Sequence, residues 1–135
     1  MGLLDGLTKN QAELRPDATD PDLRPLAISL APVHAIAWAQ RIIEGWPRWT
    51  VVAVYEDRRM IHATHTSRIW RSVDDVHLVL EPDARGSLLL AKSQSRHGKR
   101  DLRQNARNLK ALVRGLEKEE HLRRDRLAAG VAVNG

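Results

Sequence analysis

Asp75-Val76-His77-Leu78-Val79-Leu80, followed by Pro82-Asp83-Ala84-Arg85-Gly86 and then Ser87-Leu88-Leu89-Leu90-Ala91, is the stretch that decides the fold of this chain. Side chains alternate across a strand, so Val76, Leu78 and Leu80 share one face. The five residues from Pro82 to Gly86 hold a proline, an aspartate and a glycine, the types that turn a chain most readily, and a second apolar run follows them. The result is an antiparallel hairpin whose apolar face needs a cover.

Working outward, Thr50-Val51-Val52-Ala53-Val54-Tyr55 is β-branched and almost wholly apolar, as in a strand covered on at least one side. Glu56-Asp57-Arg58-Arg59 connects it to a strand at residues 59–66, and a strand or extended connection passes through Ile69 and Trp70. Ala31-Pro32 opens a helix, with Val33, Ile36, Gln40 and Ile43 at helical spacing and Gly45 at its end. Leu23 to Ser29 forms a first short strand. A last helix starts near Asp101, where Asp101 and Gln104 resemble a capping box, and Leu102, Ala106, Leu109, Val113 and Leu116 make one apolar stripe. Beyond Leu116 the pattern dissolves into charge, so the helix end is expected to leave the body and Ala128 to Gly135 to fray.

The expected class is therefore α+β: strand, helix, four strands, helix, with both helices on one face of an antiparallel sheet. Residues 1–22, polar and interrupted by Pro16 and Pro21, read as a flexible or surface-lying arm. Residues 23–117 form the single domain, and residues 118–135 the charged helix end and frayed tail.

With 135 residues, the chain can bury a real core without staples. It has no cysteine, which rules out disulfides, thiol catalysis and thiolate metal sites and suits a reducing, cytoplasmic setting. No apolar run reaches the roughly 18 residues of a membrane span, and the N-terminus lacks a signal peptide's basic start and a myristoylation signal's hydroxyl residue. The net charge of +5 is unevenly spread. Residues 1–30 carry 3 basic and 5 acidic groups, whereas residues 86–115 carry 8 basic and 1 acidic. So local a positive surface attracts phosphates, nucleic acid or anionic headgroups, or simply keeps the protein soluble.

That basic region contains Lys92-Ser93-Gln94-Ser95-Arg96-His97-Gly98-Lys99-Arg100-Asp101-Leu102-Arg103-Gln104-Asn105, where a strand hands over to a helix. Together with Val73-Asp74-Asp75-Val76 it resembles a bacterial and plastid family catalogued as domain of unknown function 1499. The resemblance covers roughly residues 20–116. It lies in an Asp-Asp pair entering a strand, then a Ser-x-Ser-Arg-x-Gly-x-x-Asp-x-Gly-x-Asn motif and a basic helix. Those positions are Asp74 and Asp75, then Ser93, Ser95, Arg96, Gly98, Asp101 and Asn105. The motif's second glycine is replaced by Arg103, and the family's Pro-Asn-Cys-Val-Ser segment is missing. The resemblance names no reaction.

Two arrangements of these residues are open. In one, Ser93, Ser95, Arg96, Gly98 and Asn105 bind a phosphate or carboxylate at the helix start, beside a basic patch of Lys99, Arg100, Arg103 and Arg107. In the other, Arg96 forms a structural ion pair with Asp74 or Asp75 while the serines satisfy buried backbone groups. The expected function is a non-catalytic binding or scaffold module for an anionic ligand or protein partner, with no cofactor.

A small hydrolase or transferase using Ser95, His97 and Asp74 or Asp75 is the alternative, although no Gly-x-Ser-x-Gly elbow is present. Nonspecific duplex DNA binding by the basic helix is a further one; the absence of aromatics between its cations weighs against base stacking on single strands. Asp75 and His77 share a strand face and amount to half a metal site, while His62 and His65 point to opposite faces, so no metal site is expected. Core packing is the expected role of most of Trp46, Trp49 and Trp70.

Overall fold

The structure, a computed structural model, describes residues 11–69, 71–96 and 102–130. In chain order its elements are β1 (Gln11–Glu13), β2 (Leu26–Ile28), α1 (Pro32–Glu44), β3 (Trp49–Tyr55), β4 (Met60–Thr66), β5 (Val73–Asp83), β6 (Gly86–Ser95) and α2 (Leu102–Ala128), with short 3₁₀ turns at Pro21–Leu23 and Glu56–Arg58. The class is α+β, an antiparallel sheet of six strands with two helices. No helix among the described residues is long and apolar enough to cross a membrane.

The sheet runs β1-β6-β5-β4-β3, and β2 pairs with β6 beside β1. Its centre is the β5–β6 hairpin, in register from Asp74↔Ser95 to Asp83↔Gly86. The strands thus continue past Pro82, and only Ala84 and Arg85 make the turn. Gly86 follows with φ +129°, and a Cβ there would lie 2.7 Å from the carbonyl oxygen of Ile28 and the amide of Leu30. Glycine is required at this point both by its backbone angle and by the chain that crosses it. The Ser87 hydroxyl fastens the same crossing by donating to Leu30 O at 2.6 Å.

Strict alternation along β5 and β6 buries Val76, Leu78, Leu80, Leu89 and Ala91 on one face. They form one core with Ile61 and Ala63 of β4, with Ala35, Ile36, Trp38, Ala39 and Ile43 of α1, and with Leu109, Leu112, Val113 and Leu116 of α2. Buried aliphatic side chains each contribute about 1.5–3 kcal/mol, so this shared cluster is the main source of stability. Pro32 starts α1 and Gly45 caps it, as the sequence indicates. Trp49 is buried, and Trp46 packs edge-on to it with ring centroids 5.6 Å apart. Trp70 lies outside the described residues.

Three segments differ from the sequence reading. The arm expected over 1–22 adds a strand: β1 pairs with the end of β6, Leu14 N donates to Ala91 O at 2.9 Å, and Leu14 is in the core. No local pattern marks so short a polar strand, because its partner comes from the other half of the chain. Where a strand or extended connection was expected through Ile69, the chain makes a turn, closed at its neck by Ser67 N to Ser72 O at 2.9 Å, and Ile69 is 80% exposed. α2, expected to leave the body past Leu116, stays on it as far as Arg123, and residues 124–130 beyond are exposed. Glu120 Oε2 accepts from the Ser29 amide at 2.9 Å and its hydroxyl at 2.6 Å, and Arg123 donates to both Glu120 and Ser29.

Candidate functional site

The two carboxylates that enter β5 divide the site between the faces of the sheet. Asp74 is inward and buried; Asp75 is outward and half-buried. Antiparallel register puts Asp74 opposite Ser95 and Asp75 opposite Gln94, so each aspartate has a separate set of neighbours.

On the inner face the neighbours are supplied by α2. Asn105 and Asn108, three positions apart and therefore adjacent on the helix surface, are both buried against β5 and β6. Ser93 Oγ donates to Asn105 Oδ1 at 2.8 Å, and Asn105 Nδ2 donates to Ser95 Oγ at 3.1 Å. Asn108 Nδ2 donates to Asp74 Oδ2 at 2.8 Å and to Ser93 Oγ at 3.1 Å, while Gln104 donates to Asn108 Oδ1 at 2.8 Å. This closed network docks the first turns of α2 onto the sheet. In the low dielectric of the interior such bonds are strong, and each group left without a partner is costly.

On the outer face, Arg96 straddles Asp75, with Nη2 to Oδ1 at 2.7 Å and Nε to Oδ2 at 3.2 Å. His62 Nε2 lies 2.7 Å from the same Oδ1. His77, directly opposite His62 in the β4–β5 register, stacks its ring on the first at 4.4 Å and 9°. Arg96 holds the Asp75 carboxyl below the usual range against the upward push of burial, and His62 helps. The His77 imidazole is lowered chiefly by burial and further by the neighbouring His62 and Lys92, with Asp75 opposing. His65, on the inner side beside Trp49, is also lowered chiefly by burial. The Nδ1 atoms of His65 and His77 are buried and find no hydrogen-bond partner among the described residues.

Of the cations of α2, three are paired, whereas Arg103, Arg107, Lys118, Arg124 and Arg126 are exposed without an ion pair among the described residues. Lys110 pairs with Asp20 at 2.7 Å, Arg114 with Asp22 at 2.8 Å, and Arg123 with Glu120. Arg103 and Arg107 lie four positions apart at the start of the helix.

The structure thus brings Asp74, Ser93, Ser95 and Asn105 together through Asn108, a residue the sequence reading missed. Asn108 lies at helical spacing from Asn105 and next to Leu109, and that placement of two amides on the apolar side of a helix was the available signal. Ser93 and Asn105 are fully buried and Ser95 nearly so. Their polar groups are engaged with one another and are not offered to solvent. Arg96 meets Asp75 and not Asp74, because the register allows only one aspartate on its side. Ser95 and Asp75 project from opposite faces of the sheet, so that hydroxyl and that carboxylate do not converge, whereas Asp74 lies on the same face as Ser95. Gly98, Lys99 and Arg100, with His97 and Asp101, lie outside the described residues.

A search of curated proteins finds no match to this chain. The family profile described as Protein of unknown function (DUF1499) matches residues 5–116, which include both faces of the Asp74–Asp75 site and the docking asparagines of α2. The chain belongs to that family.

Proposed function

We propose that this domain is a non-catalytic binding module that receives an anionic group, the phosphate or carboxylate of a ligand or partner, at the start of α2. The observation that carries this reading is the contrast among the helix cations. Lys110, Arg114 and Arg123 are matched to Asp20, Asp22 and Glu120, and the unpaired Lys118, Arg124 and Arg126 are interspersed with Glu117, Glu119 and Asp125. Arg103 and Arg107, by contrast, stand exposed one turn apart in a stretch of helix without any acidic residue and form no ion pair among the described residues. Two guanidinium groups at that spacing suit an oxyanion, since each offers planar, paired donors. The N-terminal end of a helix adds a favourable dipole.

The buried amide and hydroxyl network supports the site from behind. It fixes the first turns of α2 on the sheet, so the two arginines project from a rigid base. Arg96, partly exposed and held by Asp75, lies at the end of β6 that leads towards the helix.

Isothermal titration with inorganic phosphate and pyrophosphate at low ionic strength tests the reading. Arg103→Gln/Arg107→Gln is expected to remove most of the binding, and Lys110→Gln to leave it nearly unchanged. A folded double variant that binds as the wild type does refutes the proposal. Duplex DNA titrated in parallel by fluorescence anisotropy distinguishes a nucleic-acid role, which requires affinity that falls steeply with salt and ignores sequence.

A further inference from the structure

We infer that a second site, independent of α2, binds a small monocarboxylate with an apolar tail in the pocket between α1 and the turn that joins β3 to β4. The pocket encloses about 350 Å³, within the range of roughly 300–1,000 Å³ common for small-molecule sites. Pro32, Val33, Ile36 and Ala37 of α1 and Pro82 of β5 supply its apolar lining. Val33 is 72% exposed, an aliphatic side chain presented at the opening instead of packed in the core.

Arg59 supplies the charge. It lines this pocket and is half-buried, yet its side chain makes no hydrogen bond or ion pair among the described residues, and its Nε is sealed from solvent without an acceptor. A guanidinium with five donors and no acceptor, beside an apolar cavity, is matched by a ligand that brings a carboxylate. The backbone holds the residue in place: its φ is 52°, in the left-handed region, its N–H donates to Glu56 O at 3.2 Å, and its carbonyl accepts from Leu80 N at 2.9 Å. The left-handed conformation, which Arg48 and Arg71 also adopt, aims the Arg59 side chain from a fixed backbone.

Two further features narrow the ligand. The first turn of α1 borders the pocket, and Ala31 at its cap position offers no side-chain acceptor, so the positive end of the helix is left for a negative group. Glu56 also lines the pocket, and its carboxylate disfavours a second negative charge on the ligand. A single carboxylate with an aliphatic tail satisfies all of these, whereas a phosphate or a dicarboxylate meets Glu56.

Octanoate is a suitable probe, with octanamide as its uncharged counterpart. Calorimetric titration of the full chain is expected to show saturable octanoate binding, and octanamide or the Arg59→Gln variant about tenfold weaker binding, the worth of one charge-assisted hydrogen bond. Ala37 is exposed on α1, so Ala37→Trp fills the pocket without touching the core and is expected to abolish binding even if Arg59→Gln proves poorly folded. Arg103→Gln/Arg107→Gln should bind octanoate as the wild type does, which separates this site from the one on α2. No octanoate binding at millimolar concentration overturns the inference. So does binding that survives Ala37→Trp or does not distinguish octanoate from octanamide.

Discussion

Asp74 and Asp75 are consecutive residues whose carboxyl groups serve opposite sides of the sheet, Asp74 accepting from Asn108 in the interior at 2.8 Å and Asp75 from Arg96 outside at 2.7 Å. The period of two in a strand makes this division unavoidable. One aspartate anchors the C-terminal helix, and the other organises a histidine pair and an arginine on the open face. Exchanging their roles would require β5 to slip by one residue, which would turn Val76, Leu78 and Leu80 out of the core.

Asn108→Ala is expected to destabilise the fold by about 2–4 kcal/mol, because it leaves the buried Asp74 carboxyl and a Ser93 lone pair without their donor. Urea unfolding followed by circular dichroism measures this. A loss below about 0.5 kcal/mol would mean that the amide contributes little to docking α2.

Gly115 of α2 faces Trp46, and a Cβ at that position would run into the indole ring at Cζ2. Alanine favours a helix over glycine by about 1 kcal/mol, but overpacking of this kind costs about 1–3 kcal/mol. Gly115→Ala alone is therefore expected to destabilise, and Gly115→Ala placed in a Trp46→Ala background to stabilise. A double-mutant cycle with no coupling between the two would contradict the close packing.

Stability should decline as the pH falls below neutrality. The imidazoles of His65 and His77 are lowered from the ordinary 6.5 by burial, so the unfolded chain binds their protons more readily than the native one. Their contribution is complete above 6.5 and is lost as the pH drops from there towards the folded values. Asp75, held below the ordinary 3.8, adds a separate loss that begins near that value and ends as the pH passes its folded value. Thermal midpoints measured from about pH 8 to about pH 5 are expected to fall, and to fall less in His65→Gln/His77→Gln. An unchanged slope in that variant would assign the effect elsewhere.

Gly86 and Gly130 both have positive φ, 129° and 75°, but differ in surroundings. A Cβ at Gly86 meets the backbone of Ile28 and Leu30, whereas one at Gly130 meets nothing within 4 Å. Gly86→Ala is expected to cost more than about 2 kcal/mol and Gly130→Ala about 1 kcal/mol. Equal thermal shifts in the two variants would show that backbone angle alone decides.

The elements with local causes are legible in the sequence. Alternation and a turn signal define β5 and β6, while Pro32 and Gly45 bracket α1. What is not legible depends on distant partners. Gln11–Glu13 becomes a strand only because the end of β6 is there to pair with it, and Glu120 stays on the body only because Ser29 supplies donors. For the candidate site, the motif identifies the residues from Ser93 to Asn105 but not their directions. Ser93, Ser95 and Asn105 turn inward because α2 lies across the inner face, which a motif alone does not reveal.

The placement of β1 and β2 on β6 also sets an order of events during synthesis. Both strands leave the ribosome early, and neither has a sheet neighbour until β6 has been made. Closing so long a loop slows assembly far more than it alters the final balance. The β5–β6 hairpin forms from adjacent residues and becomes the template on which the first strands settle, with α2, translated after it, closing over them. A nascent chain stopped before Ser87 therefore holds Leu14 and Ile28 in water, and such a chain is the form most in need of a chaperone.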